Sequence, residues 1–454
     1  MDLHLDIELG EHAGPGRRAA LERALREAIQ DGRLPPDTRL PSTRALAAEL
    51  RLARGTVSAA YDQLAAEGYL LARTGSGTVV AGRQAPAVRS SRVPGPARPR
   101  FDLRPGTPDG SAFPAEAWLR ATRKVLATTP GEAYGYGEPE GRIELRAGLA
   151  AYLGRARGVL ADPGQIVVTS GYVQALSLLA GLFAGQRVAM EDPCLGFHRD
   201  VVRRAGAEVV PLPADERGAR TDLLTGDVRA VVLTPAHQYP TGVTLHPERR
   251  HAVAEWARRH GGLVIEDDYD GEFRYDRQPV GAVQGMAPGH VAYAGTASKT
   301  LGPALRLGWL VLPGHLLGPV LDAKRHADLH TEHIGQLVLA ELIASHGYDR
   351  NIRAARLRYR RRRDLLIGRL GERYRIGGVS AGLHALLHLP SGGPAEEDIL
   401  AVAAAHDLAI GTLGEHWHTP GEHPAGVIIG YGTPSETRYR EALPVLEKVL
   451  ASVH

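Results

Sequence analysis

The chain has 454 residues, of which 43% are hydrophobic and 23% charged, and its formal net charge is +3. That length exceeds one ordinary domain, the apolar content suffices for packed cores, and the small net charge excludes a polyelectrolyte, so any basic surface must be local. The single cysteine, Cys194, excludes an intrachain disulfide framework and fits a reducing compartment. No apolar run approaches the roughly 20 residues of a membrane span, and Met1 to Gly10 lacks the pattern of a secretory leader. The expectation is a soluble, cytoplasmic protein without a membrane segment.

Taken in order, Arg17 to Asp31 shows helical periodicity, with Leu21, Leu25, Ala28 and Ile29 on one face. Gly32 to Asp37 breaks it. Ser42 or Thr43 can cap a second helix that turns Ala45, Leu46 and Leu50 inward. A third helix from about Gly55 to Glu67 buries Val57, Tyr61 and Leu64, and two short strands follow around Arg73 to Gly77. Three short helices and a hairpin make a winged helix-turn-helix. The start of the third helix (Arg54, Thr56, Ser58) and the wing arginine suit a major groove with its flanking phosphates. The same pattern also suits a small helical domain that contacts protein.

Arg83 to Arg100 is rich in Pro, Ala, Ser and Arg without an apolar period, the composition of a flexible linker. From Phe101 onward strands and helices alternate. Strand-like runs at Ile166–Ser170, Arg187–Met190, Ala230–Leu233, Leu263–Glu266, His290–Ala294 and Leu307–Leu312 predict a mostly parallel, doubly wound sheet. The helix that opens after Gly171 offers unpaired N–H groups to an anion. Asn351 to Leu370, crowded with arginine, predicts a solvated helix face, and Tyr374 to His454 predicts a small α/β unit.

Asp267-Asp268-Tyr269 falls at the end of a buried strand, where ligands of open α/β sheets collect. Lys299 lies among small hydroxyl residues, with Arg306 seven positions on. A carboxylate for a ring nitrogen, a phenol for a ring oxygen, a phosphate cup and a Schiff-base lysine are what pyridoxal phosphate requires. The competing reading of the two aspartates is a helix cap or a metal carboxylate pair; no histidine or third carboxylate stands at useful spacing for metal.

Two resemblances extend these readings. Arg39 to Ala47, Arg54 to Val57, Tyr61 to Leu70 and Gly75 to Thr78 resemble the GntR-type DNA-binding domain. That likeness implies DNA contacts by Ser42, Arg44, Arg54, Gly55 and Thr56, with Arg73 and Gly75 at the wing; Asp37 departs from the usual glycine. Phe101 to His454 resembles a fold-type I aminotransferase domain, on Tyr134 to Pro139, Val168 to Gly171, His237 to Gly242, Glu266 to Phe273 and Ser298 to Leu301 with Arg306 to Gly308. Together the two resemble the MocR/GabR family of transcriptional regulators.

The family resemblance implies a winged helix-turn-helix over residues 1–82, a linker over 83–100 and an α/β effector and dimerisation domain over 101–454, with a small C-terminal α/β subdomain from about residue 370. It implies pyridoxal 5'-phosphate, with Lys299 as the Schiff-base lysine, Asp267 at the pyridine nitrogen (Asp268 as the alternative) and Tyr269 at the ring hydroxyl. Thr296, Ser298, Arg306 and the backbone of Gly171, Tyr172 and Val173 would hold the phosphate. Tyr239 stands where aminotransferases keep an asparagine, and Phe197 is the residue assigned to stack on the ring. The strand position that holds a substrate carboxylate with arginine is Ile428; a neutral residue cannot replace that pairing, although Arg199 or His384 could substitute. The expected partners are operator DNA, a second copy of the chain and an effector, either the cofactor itself or an amino compound. The expected function is a pyridoxal-phosphate-dependent regulator controlling vitamin B6 metabolism, and the alternative is an active aminotransferase carrying a DNA-binding domain.

Overall fold

The computed structural model describes residues 16–73, 77–82, 99–275 and 280–453. Its contacts form two compact units, Met1–Ala97 and Arg98–His454.

In the first unit, helices α1 (Arg17–Gln30), α2 (Thr43–Glu49) and α3 (Arg54–Ala66) precede the strands β1 (Leu70–Arg73) and β2 (Gly77–Val80). Leu21 and Leu25 of α1 pack on Leu46, Val57 and Leu64, so each helix hides one apolar stripe in a shared core. Ser42 caps α2: its Oγ accepts the Ala45 N–H at 3.2 Å. The strands pair antiparallel, Leu70 opposite Val80 through Arg73 opposite Gly77. Asp37 has φ +61°, the left-handed region that glycine enters most easily, which gives a physical reason why glycine is usual at this turn.

The second unit opens with β3 (Phe101–Asp102), α4 (Ala115–Thr128) and α5 (Ile143–Arg157). The winding then runs β4 (Ile166–Thr169), α6 (Tyr172–Gly181), β5 (Arg187–Asp192), α7 (Gly196–Arg204), β6 (Glu208–Asp215) and β7 (Gly218–Ala219). It continues with β8 (Val228–Leu233), α8 (Pro247–His260), β9 (Leu263–Asp268), β10 (Val291–Thr296) and β11 (Gly308–Val311). These strands form an eight-stranded sheet of order β4-β11-β10-β9-β8-β5-β6-β7. The block from β10 to β6 is parallel, and β11 runs against both its neighbours. Near-continuous Val, Ile, Leu and Ala in these strands follow from burial on both faces.

Helices α9 (Gly314–Asp328), α10 (His333–Ala344) and α11 (Gly347–Leu370) lead to a small subdomain. There β12 (Arg375–Gly377), β13 (His384–His388), α12 (Glu396–Ala405), β14 (Leu408–Ala409), β15 (Gly411–Thr412), β16 (Gly426–Gly430) and α13 (Glu436–Ala451) follow. Its sheet has the order β12-β13-β16-β15, and β14 pairs with β3, so Phe101 and Leu103 join the core of the C-terminal subdomain. The arginine-crowded helix α11 corrects the expectation of a wholly solvated face. Arg362 is buried and bonds Asp109 at 2.8 Å, Glu436 at 3.0 Å and the carbonyls of Tyr431 and Pro434. Among the described residues no helix is long and apolar enough to cross a membrane.

Candidate functional site

At the carboxyl ends of β5, β9 and β10 lies a cavity of about 310 Å³, where the parallel strands point their last side chains and loops. Tyr172, Val173, Tyr239, Asp267, Tyr269, Thr296, Ser298, Lys299 and Arg306 all border it. Residues of the assigned set as far apart as Tyr172 and Arg306 therefore converge only through the winding of the sheet.

Each side chain owes its place to a local cause. Along β9 successive side chains alternate faces, so Asp267 enters the cavity while Glu266 and Asp268 leave it. Asp268 is taken by Arg157 (2.6 and 3.0 Å) and by the Tyr293 hydroxyl (2.8 Å). Glu266 accepts the N–H groups of Val283 and Gln284. Asp267 has no such arrangement. Its Oδ1 is buried without a partner, as is the Tyr172 hydroxyl. Burial pushes the Asp267 carboxyl well up, and Tyr172 and Lys299 pull it partly back.

Lys299 follows β10 and donates to the Gly106 carbonyl. Burial lowers its pKa, while Asp270 and Asp267 oppose the shift; the shift favours the neutral amine that a Schiff base needs. The Thr296 hydroxyl donates to Ser298 Oγ at 2.9 Å and accepts the Ser298 N–H at 3.1 Å. Gly171, at φ +90°, opens α6, and its N–H end faces Arg306. A Cβ added there would stand 3.0 Å from Arg306 Nη2, so glycine lets the guanidinium close on the helix start. Cationic guanidinium, hydroxyls and free N–H groups together make an anion cup.

The structure revises two assignments here. Phe197 is 58% exposed and does not border the cavity; one position on along α7, a turn of about 100° brings His198 to the wall instead. The His198 imidazole is pushed down to about 4, by burial first and then by Lys299, so it stays neutral at physiological pH. Arg199 is not free to hold a carboxylate: its Nη1 donates to the carbonyls of Cys194 and His416, and its Nη2 to Trp417. Sequence reasoning also passed over His237, which lies in the same motif as Tyr239. Its Nδ1 is 2.9 Å from Asp270 Oδ2 and 3.1 Å from the Tyr269 hydroxyl.

In the winged unit Arg44, Arg54 and Gly55 are exposed at the starts of α2 and α3, with Thr56 half-buried beside them. Ser42 also serves as the α2 cap. Arg73 is engaged with Asp37 at 2.9 Å. Gly75 lies outside the described residues.

A winged helix-turn-helix joined to a fold of the aminotransferase kind, with a lysine, an aspartate and an anion cup in one cavity, defines a class: DNA-binding regulators built on a cofactor-binding enzyme scaffold. Residues 101–409 match the aminotransferase class I and II family, and residues 17–80 match the gntR family of bacterial regulatory proteins. The chain belongs to the MocR/GabR family of GntR-type transcriptional regulators. It is 31% identical over 449 residues to the pyridoxine biosynthesis transcriptional regulator PdxR of Corynebacterium glutamicum, covering 97% of each chain. It is also 31% identical to the probable rhizopine catabolism regulatory protein MocR of Rhizobium meliloti, over 97% of this chain and 94% of that one. Among solved structures, an archaeal alanine:glyoxylate aminotransferase superposes with a TM-score of 0.73 at 26% identity, covering 79% of this chain and 92% of the other. The α-aminoadipate aminotransferase LysN of Thermus thermophilus, in complex with N-(5'-phosphopyridoxyl)-L-leucine, superposes with a TM-score of 0.70 at 25% identity, over 78% and 92%.

The cofactor of this family is pyridoxal phosphate, and the cavity fits it. A buried carboxyl oxygen with no partner costs roughly 1–3 kcal/mol unless a donor meets it, and a protonated pyridine nitrogen is such a donor for Asp267 Oδ1. The cup of Thr296, Ser298 and Arg306 at the Gly171 helix start supplies what a phosphate dianion requires.

Proposed function

We propose that this regulator senses pyridoxal phosphate itself and adjusts DNA binding by its winged unit in response, as a controller of vitamin B6 synthesis. The observation that carries the reading is Ile428. It is fully buried, packed with Leu386, Leu413 and Trp417, and the family resemblance puts it where a cation would hold a substrate carboxylate. Both other cations bordering the cavity are spoken for, Lys299 as the amine and Arg306 by the phosphate cup. The His384 imidazole is held well below its ordinary pKa by burial and then by His237, so it brings no charge. An α-carboxylate buried there would lack a counter-ion, which is strongly unfavourable.

In this reading Lys299 bonds the cofactor, Asp267 keeps its ring nitrogen protonated, and Tyr269 donates to its ring oxygen. Thr296, Ser298, Arg306 and the N–H groups of Gly171, Tyr172 and Val173 hold its phosphate, while His198 covers the ring in place of Phe197. Bound pyridoxal phosphate supplies an electrophilic carbonyl and an electron sink. Ser42, Arg44, Arg54, Gly55 and Thr56 meet the operator, Arg73 and Gly75 lie along the wing, and the protein acts in the cytoplasm as a homodimer. Tyr136, 90% exposed beside His330, is apolar surface of the kind a second copy covers.

The test is operator affinity titrated with pyridoxal phosphate for wild type and Lys299→Ala. A cofactor-dependent change in affinity or complex geometry that Lys299→Ala abolishes supports the proposal; an unchanged response sinks it. The second reading, an active aminotransferase, has Lys299 and Asp267 in its favour. A spectroscopic screen of amino acids that found conversion to the amine form of the cofactor would establish it.

A further inference from the structure

We propose that His237 and Asp270 form a buried positioning pair that dictates the direction in which the Tyr269 hydroxyl donates, turning its hydrogen into the cavity. The inference rests on the reading of the cavity as a pyridoxal phosphate site.

The three residues meet because two loops converge. His237 follows β8, and Tyr269 and Asp270 follow β9, the neighbouring parallel strand. Side chains of His237 and Asp270 are 3% and 1% exposed, with Nδ1 and Oδ2 2.9 Å apart. The small subdomain seals them in. A Cβ at Gly382 would stand 2.1 Å from His237 Cε1 and 2.8 Å from Asp270 Oδ2, and one at Gly242 would stand 3.3 Å from His237 Nε2. Glycine at Gly382 (φ +75°) thus lets the backbone close over the pair, and water is kept from competing for its hydrogen bonds.

The proton logic follows from which atoms can donate. A carboxylate at 2.9 Å keeps the proton on Nδ1, and that N–H also reaches the Tyr269 oxygen at 3.1 Å. The phenol oxygen is therefore an acceptor toward His237. The Asp270 carboxylate is the other acceptor near its hydrogen, and because His237 Nδ1 engages that carboxylate at 2.9 Å, the hydrogen is turned to the cavity. With Nδ1 bare, the imidazole would instead capture the phenol hydrogen and turn it away. Asp270 decides between these tautomers, as second partners of histidine commonly do.

Tyr239 does not do this work. Its ring meets Tyr269 edge-on with centroids 6.5 Å apart, and its hydroxyl faces His416 Nε2 at 3.4 Å. The other titratable group facing His237 is His384, with rings 5.1 Å apart; burial holds it neutral. Asp270 is faced electrostatically by Lys299, Asp267, Tyr269, Tyr275 and Tyr431. A donor aimed at the ring oxygen stabilises that oxygen as an anion. It thereby lowers the pH at which the adjoining lysine nitrogen gives up its proton.

The experiment is a pH titration of the absorbance spectrum of the full chain reconstituted with pyridoxal phosphate, with melting temperature recorded alongside. Asp270→Asn keeps the shape but can donate to Nδ1, so it favours the bare tautomer. It also removes a negative charge that supports the Lys299 cation, which by itself lowers the midpoint, so His237→Gln, which leaves that charge in place, is the primary variant. His237→Gln is expected to raise the midpoint by about one pH unit, and Tyr269→Phe should raise it at least as far. In their double variant the His237→Gln shift should vanish, since both act through one hydroxyl. Should His237→Gln not fold, Asp270→Asn is read as the difference between its shifts in the wild-type and Tyr269→Phe backgrounds, which cancels the direct charge effect and should be upward. A His237→Gln midpoint equal to wild type overturns the inference, as does a shift that persists undiminished in the Tyr269→Phe background. If wild type acquires no lysine-bound absorbance band at all, the cofactor reading fails and the inference falls with it.

Discussion

At the scale of single residues, the cavity trades stability for binding at Asp267. Its carboxyl is buried, partly unpartnered and pushed well above the ordinary range by burial, a cost that the bound ring nitrogen is expected to remove. Asp267→Asn should therefore raise the melting temperature of the cofactor-free protein, by roughly 1–3 kcal/mol of stability, and shrink the further rise produced by pyridoxal phosphate. Calorimetry with and without cofactor checks both halves; a variant stabilised by cofactor as strongly as wild type contradicts the assignment. Glu191 offers a pH test. Burial raises its carboxyl to about 7, against which its bonds with Thr234 act. Because the folded pKa exceeds the unfolded one, its contribution is fully present below about 4.5 and is lost as pH rises through 7. The melting-temperature difference between Glu191→Gln and wild type should then grow in favour of the variant from pH 4.5 to 7 and level off above. A difference constant over that window refutes the shift.

At the scale of elements, what sequence could and could not show divides along the range of the interactions. Periods of 3.6 and runs of Val, Ile and Leu are local, so α1, α3, β9 and β10 were legible within a few residues of their ends. The family resemblance put Asp267 ahead of Asp268, but the physical ground for that choice is not local: it needs the face each side chain takes and the presence of Arg157, 111 positions away. Phe197 failed for a related reason: adjacent positions of α7 diverge around the helix, and only the packed helix shows that His198 turns inward. Arg362 was hidden among exposed arginines because its partner Asp109 lies 253 positions off. Asp37 was legible as a departure, and its φ of +61° makes it a test. Its ion pair with Arg73 is exposed at both ends and is worth at most about 1 kcal/mol. A left-handed non-glycine residue costs roughly 1 kcal/mol. Asp37→Gly should thus leave the melting temperature of the winged unit unchanged or slightly higher, and it frees Arg73 for a phosphate. The slope of log affinity for operator against log salt should steepen by about one; an unaltered slope would mean that Arg73 does not contact DNA.

At the scale of the whole molecule, two units that bind different ligands can influence one another only through a shared equilibrium. The net charge of +3 is too small to drive DNA binding globally, so in the proposed function affinity rests on local cations such as the exposed Arg44 and Arg54, and a change in their presentation suffices to alter it. If pyridoxal phosphate shifts the molecule between arrangements that bind operator differently, the coupling is reciprocal. A tenfold change in operator affinity at saturating cofactor, about 1.4 kcal/mol, requires operator DNA to change cofactor affinity tenfold in the same sense. Titrating pyridoxal phosphate with and without a saturating operator duplex measures the second side, and competition with unlabelled duplex measures the first. Asp267→Asn should weaken cofactor binding on both sides of this cycle. The coupling survives only to the extent that its two arrangements differ at sites other than Asp267. Equal cofactor affinity with and without DNA, alongside a cofactor-dependent operator affinity, would violate the cycle. It would mean that the apparent response arises from something other than the occupied cavity.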